Sequence, residues 1–198
     1  MGFSGHLVFA RSNHPLLEAI VFDGIDEELK ATVHTWESRP GGWQTLQFDH
    51  GIWDDADLPA LVEWSGAPAC VADVSDSDLA LVTGLDTTGQ RWQAWLNLDI
   101  AARLLVKEPE DLDDQLLGLD TPEFHDAVRH KHAELDAEIP TDAEGAVAWA
   151  AAAGIRVTTQ RFRIEELLRS HETFAEDLFS SLLDQLGFVQ AIQPSPAP

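Results

Sequence analysis

The first half of the chain reads as short strand-like apolar runs separated by polar breaks, with one short helix among them. After Leu98 the period becomes that of a helix. Leu7-Val8-Phe9-Ala10 reads as a short strand. Residues 31–37 and 43–48 flank Ser38-Arg39-Pro40-Gly41-Gly42, where proline fixes φ and the glycines accept positive φ, so a hairpin is expected. Trp36 and Trp43 should then face each other beside the turn. Asp57 is placed to cap a short helix over 58–64, with Pro59 in its first turn. Three more strand-like runs, 69–74, 79–85 and 91–97, are separated by Ser75-Asp76-Ser77-Asp78 and Asp86-Thr87-Thr88-Gly89. Turns this short join antiparallel strands, because a parallel connection needs a long crossover. In the third run Trp92, Ala94 and Leu96 share one face and Trp95 takes the other, which predicts a sheet covered on both faces.

In the second half Thr121-Pro122 opens a helix expected to reach about Glu138, ahead of Pro140. Thr141 and Glu144 form a capping-box pattern in front of a separate helix over 146–153, which Gly154 ends. Ile155, Val157 and Thr159 alternate as one late strand. Ile164, Leu167, Leu168, His171, Phe174, Leu178, Leu182 and Leu186 trace one stripe, read as a single last helix closing at Gly187. The expected fold class is α+β, an antiparallel sheet (hairpin and meander) packed with a mostly helical C-terminal half. Residues 1–190 are expected to form one domain, sheet-rich over 1–97 and helix-rich over 98–190. Residues 191–198 read as a disordered Pro-rich tail.

Charge narrows the functional classes more than any motif does. The 198 residues carry 35 Asp and Glu against 12 Lys and Arg, a formal net charge of -23. Residues 1–97 hold 15 acids and 4 bases, and residues 98–198 hold 20 and 8, so the acidity is spread over both halves. Such a field repels nucleic acid and anionic membranes and attracts a basic protein. No apolar run approaches the ~18 residues of a membrane helix, and the N-terminal residues lack a signal-peptide pattern. The single cysteine, Cys70, sits in an apolar run and reads as a buried inert thiol. The absence of a disulfide framework fits a reducing cytoplasm. Arginine dominates over lysine and alanine is abundant, the composition of a GC-rich bacterial coding sequence.

Candidate chemistry is sparse. His125, His130 and His132 crowd one stretch, but Arg129 stands on the face that His125 and His132 share, which disfavours a metal. His171-Glu172-Thr173-Phe174-Ala175 lacks the second histidine of a zinc-protease helix. Asp73, Asp76 and Asp78 do not follow calcium-loop spacing. There is no nucleophile elbow, phosphate-binding lysine loop or dinucleotide fingerprint, so the chain reads as non-catalytic, with no cofactor or metal expected. Arg156, Arg161, Arg163 and Arg169 are expected to pair with the protein's own acids. His171 and His132, bordering apolar stripes, remain possible functional histidines. Trp53 beside Asp54, Asp55 and Asp57 would make an aromatic anchor in an acidic rim if exposed, the chemistry a basic partner recognises. The leading expectation is an acidic cytoplasmic protein that binds a basic protein, of the immunity, antagonist or regulatory type. A variant is mimicry of DNA by carboxylates. The alternative is a small enzyme or ligand-binding domain with a Trp- and His-lined site.

Overall fold

The structure is a computed structural model and describes residues 2–54, 56–106 and 121–190. The tail expected over 191–198 lies outside the described residues, as does Asp55. Six strands form one antiparallel sheet: β1 (Gly5–Arg11), β2 (His34–Thr35), β3 (Trp43–Asp49), β4 (Ala69–Ser75), β5 (Leu79–Leu85) and β6 (Arg91–Leu96). Their spatial order is β2-β3-β1-β4-β5-β6, so the hairpin and the meander are joined through β1. The helices are α1 (Glu27–Lys30), α2 (Asp57–Ser65), α3 (Leu98–Leu105), α4 (Pro122–Ala152), α5 (Arg161–Leu168) and α6 (Ala175–Gln185). This is the expected α+β arrangement. Among the described residues no helix is long and apolar enough to cross a membrane.

Each face of the sheet has its own core. Leu7 and Phe9 of β1, Cys70 and Ala72 of β4, Val82 of β5, and Trp92 and Ala94 of β6 point to one side, against α3, α4, α5 and α6. Here Trp149 of α4 donates its indole N–H to the carbonyls of Ala69 and Leu85, at 3.1 and 3.2 Å. Phe9, Trp43 and Phe188 surround it at ring-centroid distances of 5.4 to 6.5 Å. Burial drives the Cys70 thiol far above its ordinary value, in keeping with an inert core residue. Val8, Ala10, Leu46, Phe48, Val71 and Leu85 point to the opposite side, under α2 and two 3-10 turns, Leu16–Glu18 and Ile20–Phe22.

Several local expectations give way to tertiary contacts. The hairpin forms, but its first strand is only two residues long, and Trp36 stands opposite Thr45 instead of Trp43. Trp36 bonds the Gln47 side chain and packs on Phe179, whereas Trp43 stacks on Phe9. Asp57 begins α2 rather than capping it, and its carboxylate accepts the Asp54 N–H. The helix from Thr121 does not stop before Pro140. It runs 31 residues, and its buried positions Leu135, Ile139, Ala143, Ala146 and Ala150 pass the proline at spacings of three and four. Thr121 caps it through a bond from the Phe124 N–H, while Thr141 and Glu144 are exposed mid-helix residues. Gly154, with φ of 80°, closes α4 in a Schellman turn: Ile155 N–H reaches the Ala150 carbonyl and Gly154 N–H that of Ala151.

The late strand is absent. Ile155, Val157 and Thr159 alternate with exposed neighbours but join no ladder among the described residues. The last stripe belongs to two helices, α5 and α6, separated by residues 169–174. Asn97 explains the break. Buried in the left-handed region at φ of 59°, it accepts the Glu172 N–H and donates to the Glu172 and Asp78 carbonyls. A backbone held this way cannot continue a helix. His171 therefore sits in an exposed loop and not on a buried stripe.

Candidate functional site

The second face of the sheet is covered unevenly. Over β1, β3 and β4 it lies beneath α2 and the 3-10 turns, but toward β5 and β6 the cover ends. There Val71, Asp73, Leu81, Thr83, Arg91 and Gln93 floor a cavity of about 240 Å³ walled by His6, Trp53 and Leu58. Strand registers assemble one corner of it. His6 stands opposite Asp73 on β4 and opposite Phe48 on β3, and His50 follows two residues beyond Phe48. His50 Nε2 lies 3.2 Å and His6 Nε2 3.8 Å from Asp73 Oδ1, and the two imidazoles meet edge to face at 5.1 Å. The ligating atoms of all three side chains fall within 4.8 Å of one another.

Chemically the triad is two imidazoles and a carboxylate, a donor set suited to a borderline transition metal and equally able to share a proton. His6 is held at the end of a central strand and is 12 % exposed, while His50 and Asp73 are more than half exposed. Trp53 supplies the wall. It is only 9 % exposed, packs on Phe22 and Phe48, and its indole N–H is buried without a hydrogen-bond partner.

The residues singled out from sequence are placed differently. Burial of Trp53 removes the premise of an exposed anchor, and Asp54 and Asp57 hold the turn before α2 by accepting backbone N–H groups. His132 lies on α4 with its Nε2 3.0 Å from Asp99 of α3, a contact between helices with no cavity around it among the cavities described. His171 meets no carboxylate in the described contacts. Three of the four late arginines pair internally, Arg161 with Glu165 and Glu144, Arg163 with Glu166, Arg169 with Asp136 and Glu165, whereas exposed Arg156 meets no carboxylate among the described residues. The His6–His50–Asp73 corner had no signal in local spacing, because its members are 23 to 67 residues apart and only the β1 register unites them. In the sequence Asp73 stands out only as a member of an acidic run that misses calcium-loop spacing.

A second feature is the outer surface of the layer carrying α1 and α2. Between residues 12 and 90 the only bases are Lys30 and Arg39. Arg39 is buried against Asp184, and Lys30 pairs with Glu27. Glu18, Asp23, Asp26, Glu27, Glu28, Asp54 and Glu63 are all exposed in this layer. Ile20, Leu29 and Trp64 are exposed apolar residues on it. Comparison of the chain with protein-family models, curated proteins and solved structures found no match.

Proposed function

We propose that this protein docks a basic protein partner through the outer surface of the α1–α2 layer, acting in a cytoplasm as an antagonist or regulatory subunit. The observation that carries this reading is the charge of that layer, where seven exposed acids face solvent, Lys30 is the one base besides buried Arg39 between residues 12 and 90, and Arg11 and Arg91 stand only at its borders beside Trp64 and Trp53. Uncompensated carboxylates steer a cationic surface and set its register. Exposed apolar side chains among them supply the desolvated anchors that charge alone does not. Trp64, on the open side of α2, takes the anchor role that sequence reasoning assigned to Trp53.

Two charge-reversed proteins test the reading. One carries Asp23, Asp26, Glu27 and Glu28 as lysines; the other carries Glu123, Asp126, Glu134 and Glu138 of α4 as lysines. Both change the net charge equally. A protein captured from host extract at low salt by the wild type and by the α4 variant, and lost from the α1 variant, supports docking at this layer. Equal loss from both variants shows capture by bulk charge and refutes it. A second reading, a small-ligand site, is favoured by the cavity beside His6, Trp53 and Asp73.

A further inference from the structure

The geometry points to a divalent transition-metal site at His6, His50 and Asp73, of the kind that takes Zn²⁺. In a tetrahedral zinc site, bonds of 2.0–2.1 Å separate neighbouring ligand atoms by about 3.4 Å. The His50–Asp73 and His6–Asp73 separations of 3.2 and 3.8 Å bracket that spacing, and the widest separation in the triad is within 4.8 Å. His50, whose half-exposed side chain stands just past the end of β3, has room to rotate toward the other two ligands. His6 and Asp73 are already paired across β1 and β4, so two ligands are preorganised by the sheet itself.

The donor set selects among cations. Two imidazole nitrogens and one carboxylate suit Zn²⁺, Co²⁺ or Fe²⁺, whereas Ca²⁺ and Mg²⁺ require shells of oxygen. Three protein ligands leave a position for water, the arrangement of open rather than closed zinc sites. An independent observation on the same cavity fits that water: the buried Trp53 indole N–H has no acceptor, and its ring lines the cavity beside His6 and Asp73. A metal-bound water or hydroxide is such an acceptor, and outer donors of this type orient the bound oxygen. The overall charge of -23 further concentrates cations near the surface. The metal site and the acidic docking layer use different residues, so either can fail without the other.

Zinc titration against a chromogenic chelator, with millimolar Mg²⁺ present to occupy surface carboxylates, measures the site directly. The expected result is one Zn²⁺ per chain with micromolar or tighter affinity. His50→Ala and Asp73→Asn should each weaken it at least tenfold, since both side chains are exposed and their loss spares the core. His132→Ala, which removes the imidazole beside Asp99, should leave it unchanged. The Co²⁺ adduct should show the intense visible absorption of four- or five-coordinate cobalt, lost in His50→Ala. Zinc binding that survives both His50→Ala and Asp73→Asn would be adventitious binding to surface acids and overturns the assignment. Absence of stoichiometric binding in the wild type overturns it as well.

Discussion

Arg39 is a buried charged side chain whose removal the structure makes costly. It lies in the turn between β2 and β3, is 4 % exposed, and its guanidinium donates to Asp184, to the Phe188 carbonyl, and to the carbonyl and hydroxyl of Ser180. One planar fork thereby ties the hairpin to α6 and to the segment following it. Phe188 in turn seals the aromatic cluster, 4.7 Å from Trp43 and 5.1 Å from Phe9. Arg39→Ala leaves the Phe188 carbonyl without its buried donor, which costs about 1–3 kcal/mol. Loss of the packed arginine stem adds roughly 1 kcal/mol more. Asp184 is 43 % exposed and rehydrates, so it adds little. The total expected is about 3 kcal/mol, which for a chain of this size lowers Tm by roughly 6–12 °C. Arg39→Lys recovers only part of this, because an ammonium cannot reproduce the fork. Asp184→Asn should cost about 1 kcal/mol, the partner being half solvated. Urea unfolding followed by tryptophan fluorescence measures all three. An Arg39→Ala protein within 0.5 kcal/mol of wild type, or an Asp184→Asn protein hurt more than Arg39→Ala, would refute the idea that the carbonyl bonds dominate.

Two further outcomes follow from the same structure. Burial, reinforced by Glu138 one turn earlier, raises the Asp142 carboxyl from 3.8 to about 6. The folded state therefore holds this proton more tightly than the unfolded chain, and stability is lost as pH rises from about 4 to about 6. The full shift corresponds to roughly 3 kcal/mol, reduced to about 1 kcal/mol because the group is half solvated. Asp142→Asn should thus gain about 1 kcal/mol at pH 7 and nothing at pH 4 in paired urea titrations; an equal gain at both values contradicts the sign. Trp92 is wedged between two glycines: a Cβ on Gly84 would lie 2.0 Å from its indole nitrogen, and one on Gly145 2.7 Å from its Cβ. Gly84→Ala should destabilise by about 1–3 kcal/mol in wild type and much less in a Trp92→Leu background. Additive effects in that cycle would show that the clash is not with Trp92.

Local signals were readable wherever the neighbours that decide a conformation are close in sequence. The meander, the Thr121 cap and the Gly154 and Gly187 stops all belong to this group. Pro140 shows where local rules lose. A proline inside a helix costs about 3 kcal/mol, yet burial of Ile139, Ala143, Ala146 and Trp149 against the sheet outweighs it. The break between α5 and α6 was hidden for the opposite reason. The stripe from Ile164 to Leu186 is continuous in sequence, and only Asn97, far upstream, reveals why the backbone leaves the helix. The candidate site was the least legible. His6, His50 and Asp73 meet because β1 pairs with β3 on one side and β4 on the other, a register that no spacing within one segment encodes.

That central placement of β1 has a consequence for how the chain is made. Leu7, Val8, Phe9 and Ala10 are fully buried, but both strands that flank them come later in the chain, at β3 and β4. At ribosomal rates of about 5–20 residues per second, β1 waits several seconds before Ala69–Ser75 has been synthesised. Until β3 is made both edges of this apolar strand lack a partner, and until β4 is made one of them still does. The stretch between β1 and β4 carries eleven acids and two bases, so the nascent chain holds similar chains apart by charge until the sheet can close around its first strand.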